Sequence, residues 1–161
     1  MKRTILVGIL LVSLAVMPVM AQNFNSSNSQ FISFQFGVPI GIGLDGSGNI
    51  YSGTNFGVDF AIIDNLAVGF NRLGPVNLFR ISYSFTEQFG FGLGIGTVAA
   101  ADFGLTANEP AASIGAYVNF FQTRSSIGFA YGMSMRIDYI AETGSIDDGV
   151  VALTLGFNLG L

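Results

Sequence analysis

Few side chains in this chain are equipped to do chemistry. Beyond residue 21 there is no His, Cys or Lys, which removes Ser–His and Cys–His nucleophile pairs and Schiff-base lysines. Paired carboxylates can still hydrolyse glycosides. The one adjacent acidic pair, Asp147-Asp148, is consecutive in sequence, and consecutive side chains on a strand diverge. No catalysis, metal site or cofactor is expected.

Two local patterns resemble ligand loops. Gly90 to Gly96 (Gly-Phe-Gly-Leu-Gly-Ile-Gly) has the glycine density of a phosphate cradle, but a dinucleotide fingerprint needs a strand before it and a helix after it. Glycine at every second residue, with bulky apolar residues between, is strand periodicity instead. Asp45-Gly46-Ser47-Gly48-Asn49 begins like a calcium loop but lacks the closing Glu, so it reads as a turn-rich loop. Asp45, Asp102, Glu109, Glu142, Asp147 and Asp148 would give the loops an acidic, solvated rim.

More informative are polar groups at alternate positions inside apolar segments: Gln35, Asp59, Arg80, Asn119, Arg136 and Asp138. Asp59 lies five residues before the turn at Asp64, and Arg80 six before Thr86. The two are expected at similar depth as a facing pair, with Gln35 and Asn119 close in level and Arg136 and Asp138 further from the short turns. Enclosed charges need partners. Such a set either plugs an interior and locks its register, or forms a constriction that selects ions.

The elements that must hold these groups follow from alternation. From Ile32 to Leu44 the even positions carry Ile32, Phe34, Phe36, Val38, Ile40, Ile42 and Leu44, and the odd ones Ser33, Gln35, Gly37, Pro39, Gly41 and Gly43. Successive strand side chains point to opposite faces, so one face is wholly apolar and the other small or polar. A soluble strand would show Lys, Glu and Thr there. The pattern predicts eight strands, at roughly 31–42, 54–63, 65–72, 76–85, 89–98, 111–121, 126–139 and 150–161. Most reach the roughly 9–11 residues that a tilted membrane-spanning strand needs. With Phe36 and Leu93 facing lipid and Gly37 the lumen, Gly37→Ser should be the mild change.

Connections alternate in length. Asp64-Asn65, Thr86-Glu87-Gln88 and Gln122-Thr123-Arg124-Ser125 are short; 44–53, 99–110 and 140–149 are long, with Leu73-Gly74-Pro75 a short exception. Outer-membrane barrels place short turns in the periplasm and long loops outside. Ahead of the strands, Lys2 and Arg3 precede an apolar stretch from Ile5 to Met17, and Val19-Met20-Ala21 fits cleavage before Gln22, the layout of a signal peptide. Residues 1–21 are therefore expected to be removed, 22–30 to form a polar periplasmic lead-in, and 31–161 to form the barrel. Without Lys2 and Arg3 the formal charge is four Arg against ten acids, a net of −6, which disfavours nucleic acid as a partner.

The closing residues, Thr154-Leu155-Gly156-Phe157-Asn158-Leu159-Gly160-Leu161, resemble the β-signal read by barrel-assembly machinery. The match rests on Thr154, Gly156, Leu159 and Leu161, and the segment ends in Leu where the usual bacterial form ends in Phe or Trp. In architecture the chain looks like the small eight-stranded outer-membrane proteins of the OmpA, OmpX and OmpW type. That resemblance implies an all-β, eight-stranded antiparallel up-and-down transmembrane barrel in the bacterial outer membrane. Its partners would be outer-membrane lipid, the barrel-assembly machinery and an extracellular ligand or host surface. A structural or surface-interaction role comes first, and a narrow transport barrel second. A soluble exported lipid-binding barrel comes third, and it would need the Phe-rich face to point inward.

Overall fold

A computed structural model describes residues 32–44, 48–125 and 129–161, apart from the side chains of residue 124 and of residues 145–148. The expected signal peptide and lead-in lie outside these residues, as does the 45–47 part of the calcium-like loop. The described chain is all-β: eight antiparallel strands in up-and-down order, closed into a barrel by pairing of the first with the last.

We number them β1 (Ile32–Gly43), β2 (in two pieces, Ile50–Ser52 and Asn55–Ile63), β3 (Leu66–Leu73), β4 (Val76–Ser84), β5 (Phe89–Val98), β6 (Pro110–Arg124), β7 (Ala130–Glu142) and β8 (Ser145–Gly160). Both pieces of β2 pair with β1 in one register, Ile40 opposite Ser52 and Gly37 opposite Asn55. The break between them follows from Pro39. Gly53 N–H donates to the Pro39 carbonyl at 3.2 Å, and proline has no N–H to return the bond.

Two boundaries differ from the sequence reading. Residues 140–149 are not a long loop; β7 and β8 run on through them and turn at Thr143-Gly144, with Glu142 opposite Ser145. β6 extends to Arg124 through a bulge between Asn119 and Phe121. The bulge resets the alternation, so Phe120 and Phe121 both face outward, 47% and 53% exposed.

Elsewhere the faces largely fall as the alternation requires, although Phe89, on the same parity of β5 as Leu93, is only 3% exposed. Phe36, Val38, Ile40 and Ile42 of β1, Phe70 of β3 and Leu93 and Ile95 of β5 are exposed on the outside, while Arg80 and Asp138 inside are 2% and 0% exposed. The Phe-rich face points outward, which is the reverse of what a soluble lipid-binding barrel would need.

Closure fixes the stagger. A hydrogen-bonded row leaving β7 at Ile140 passes Ser113, Gly94, Arg80, Gly69, Asp59, Ser33 and Gly160 and returns to β7 at Ala130, ten residues away. The strands are therefore tilted, as a closed barrel demands. Rows descend toward the short-turn end in passing from β4 to β2.

Candidate functional site

Three layers fill the lumen. Uppermost, between the long-loop ends of the strands, is an apolar plug of Leu73, Val76, Leu78, Val98, Phe103, Leu105, Ala111, Ile140, Val150 and Ala152. Its keystone comes from the loop 99–109. Phe103 is fully buried, and its ring stacks on Tyr51 with centroids 5.4 Å apart. The backbone there is left-handed, φ 59°, a region bulky residues seldom enter. Asp102 Oδ1 holds it by accepting the Phe103 N–H at 2.8 Å. Gly41 and Gly74 make the socket, because a Cβ on either would come within 2.9 Å of the Phe103 ring.

Sequence reasoning treated 99–110 as an ordinary solvated loop and missed this plug. The available signal was Phe103 and Leu105, two large apolar residues amid small and polar ones. Two acids of the expected rim also serve the loop: Asp102 as above, and Glu142, whose Oε1 accepts the Thr106 N–H. The side chains of Asp147 and Asp148 lie outside the described set.

The middle layer is a buried charge network. Arg80 Nη1 donates to Asp138 Oδ1 at 2.7 Å, and Arg136 Nε donates to Asp138 Oδ2 at 2.6 Å. Arg136 then reaches across the lumen, donating from Nη1 to Gln35 Oε1 at 3.2 Å and from Nη2 to Asn71 Oδ1 at 2.7 Å. Gln35 Nε2 donates onward to Asp59 Oδ2 at 2.6 Å. Five of the six lumen residues named from the sequence thus form one chain of contacts, and their two guanidiniums balance their two carboxylates.

The pairing differs from expectation. Asp59 and Arg80 share a row, with Gly69 between them, as counting from the turns suggests. The tilt sets Asp59 nearer the short-turn end, however, and it is Asp138 that holds the Arg80 guanidinium. Asn119 stands apart: its Oδ1 accepts from Asn158 Nδ2 at 3.3 Å and its Nδ2 donates to the Glu87 carbonyl at 3.0 Å.

The lowest layer is open space. A cavity of about 610 Å³ runs from the charge network to the short-turn end, bordered there by Asp64, Asn65, Thr86, Glu87 and Gln88. Its wall carries Asp59, Arg80, Ser82, Asn119 and Tyr117, the tyrosine hydroxyl lying 2.6 Å from Ser84 Oγ. Among the described residues Arg80 Nη2 and Thr154 Oγ1 are buried without a hydrogen-bond partner. The residues of the assembly-signal resemblance run along β8 at the seam, with Leu161 just past its end. Thr154 faces the lumen, Gly156 pairs with Gly37, Leu159 pairs with Phe34, and Leu161 N–H donates to the Ile32 carbonyl at 2.9 Å.

No family model matches the chain, and a search of curated proteins finds no match. Among solved structures the chain is similar to Ail, the attachment invasion locus protein of Yersinia pestis, at 12% identity and a TM-score of 0.42; the match covers 83% of this chain and 100% of that one.

Proposed function

We propose that this protein is an integral barrel of the bacterial outer membrane with a structural or surface-interaction role, not an enzyme and not an open pore. One observation carries the placement: the molecule is inside-out. Large apolar side chains such as Phe36, Phe70, Leu93 and Ile95 are exposed around the outside, and the charge network is buried. A hydrocarbon solvent reverses the usual cost of each, and a closed barrel leaves no strand edge unpaired in it. Tyr83, Phe85, Phe120, Phe121, Phe129 and Tyr131 are exposed near the short turns, where an aromatic girdle at a membrane interface belongs.

The filled lumen supports a non-conducting role. The Phe103 plug and the Arg136 network stand in series above the cavity, so a transport path would have to displace both. What remains available to a partner is the long-loop end, where an extracellular ligand or host surface would meet Ile50, Asp102 and Glu109. Barrel-assembly machinery would receive the chain through the β8 segment.

Folding in detergent tests the placement. Unboiled and boiled samples should migrate differently on a gel, and protease added to intact cells should cut within 45–49 or 99–109 while sparing the short turns. A monomer freely soluble in plain buffer would refute it.

A further inference from the structure

We propose that the lumen cavity is a binding site for a small zwitterion of the amino-acid class, with Arg80 taking its carboxylate and Asp59 its ammonium. The cavity, about 610 Å³, falls within the usual range for small-molecule sites. Among the described residues the charge network roofs it, and its opening lies at the short-turn end.

Both ends of the ligand have a group left over by the protein. Arg80 commits Nη1 to Asp138 and leaves Nη2, which lies over Gly92, buried with no hydrogen-bond partner among the described residues. A buried donor without a partner costs free energy, and a carboxylate would relieve it. Among the described residues Asp59 receives one neutral hydrogen bond, from Gln35, which leaves acceptor capacity on a carboxylate facing the cavity. The two stand two strands apart with Gly69 between them, about 10 Å between backbones at ordinary strand spacing. Glycine leaves room there for the Asp59 carboxylate, whose Oδ1 lies over Gly69 on the side toward β4. Because Asp59 lies nearer the short turns, the ammonium would point toward the mouth and the carboxylate toward the roof.

Charge balance selects the ligand class. Within the charge network two guanidiniums and two carboxylates cancel, so a net anion or cation brought against it would add an unbalanced charge to a confined space. Asp64 and Glu87 at the mouth oppose a net anion further. A zwitterion adds none. The site does not depend on what the outer loops meet.

The test is titration of the folded full-length barrel in uncharged detergent micelles, followed by the amide NMR shifts of Gly69 and Gly92. L-Alanine should give saturable shifts, and acetate and methylammonium should each bind at least about tenfold more weakly, the step worth 1.4 kcal/mol. Asp59→Asn, which keeps the Gln35 contact and the fold, should weaken L-alanine by a similar factor. Arg80→Gln should do so as well. No saturable shift with L-alanine, acetate binding as well as L-alanine, or unchanged affinity in Asp59→Asn would each overturn the proposal. The three ligands compared on the unaltered protein decide the matter even if a variant fails to fold.

Discussion

Arg80 and Asp138 meet at 2.7 Å between β4 and β7, yet Asp138 is shared: its other oxygen accepts from Arg136 at 2.6 Å. One carboxylate thus serves two guanidiniums, both of them buried. The arrangement is asymmetric, and its asymmetry can be measured.

Asp138→Asn should cost more than Arg80→Gln. Losing the carboxylate leaves two guanidiniums facing each other in the lumen, whereas losing Arg80 leaves Asp138 still paired with Arg136. Removing one partner of a buried pair costs about 3–5 kcal/mol, and Asp138→Asn belongs at the upper end. Urea unfolding from lipid vesicles would rank them. An equal cost would mean that Arg136 does not hold Asp138 in solution.

A double-mutant cycle on Asp59 and Arg80 should show coupling, since both belong to one charge network. It should show less than a cycle on Gln35 and Asp59, which are joined directly at 2.6 Å. Coupling of the first pair above that of the second would restore the direct Asp59–Arg80 contact that residue counting suggests.

The faces can be checked by paired substitutions. Leu93→Arg puts a cation on the outer face and should cost about 2–4 kcal/mol near the bilayer midplane. The mild comparison has to be chosen with care. Gly37→Ser looks harmless in the sequence pattern, but a Cβ at Gly37 would lie 2.5 Å from the Leu155 carbonyl oxygen at the β1–β8 seam. Backbone cannot yield there cheaply. Ala67→Ser, on the cavity wall, is the better control and should be nearly neutral. Folded yields in vesicles ranking Ala67→Ser below Leu93→Arg would invert the faces.

The alternation at β5, Gly90 to Gly96 against Leu93 and Ile95, was enough to read the strand, its faces and the solvent each face suits. The inward position of Arg80 was legible for the same reason. Its partner was not, because residue counts from turns measure position along strands, while depth depends on a tilt set by barrel closure. The β6 bulge went unread, because unbroken alternation through Phe120 fits the strand as far as that residue and only the following Phe121 breaks it. The β7–β8 hairpin was hidden by polar residues around Gly144, which resemble a loop as much as a strand end. Phe103 was hidden for a different reason: no local periodicity exists in a single side chain folded back into a socket made by Gly41 and Gly74.

The plug and the charge network should act as two barriers in series, each sufficient alone. Phe103→Ala removes a fully buried ring, a change that costs about 3–5 kcal/mol in a core, with the low end expected because a loop can settle into the space. In a planar bilayer the unaltered protein should be silent, and Phe103→Ala should stay silent, since Arg136 still spans from Asp138 to Asn71 and Gln35 beneath it. Arg136→Ala with Asp138→Ala should be silent too, because the apolar plug above is intact. It removes one charge of each sign, so Arg80 and Asp59 remain balanced. Only the three changes together should join the cavity to the long-loop end and give steady conductance steps. Steps from Phe103→Ala alone would show that the charge network leaves a water-filled path around it, and the non-conducting reading of the lumen would then fail.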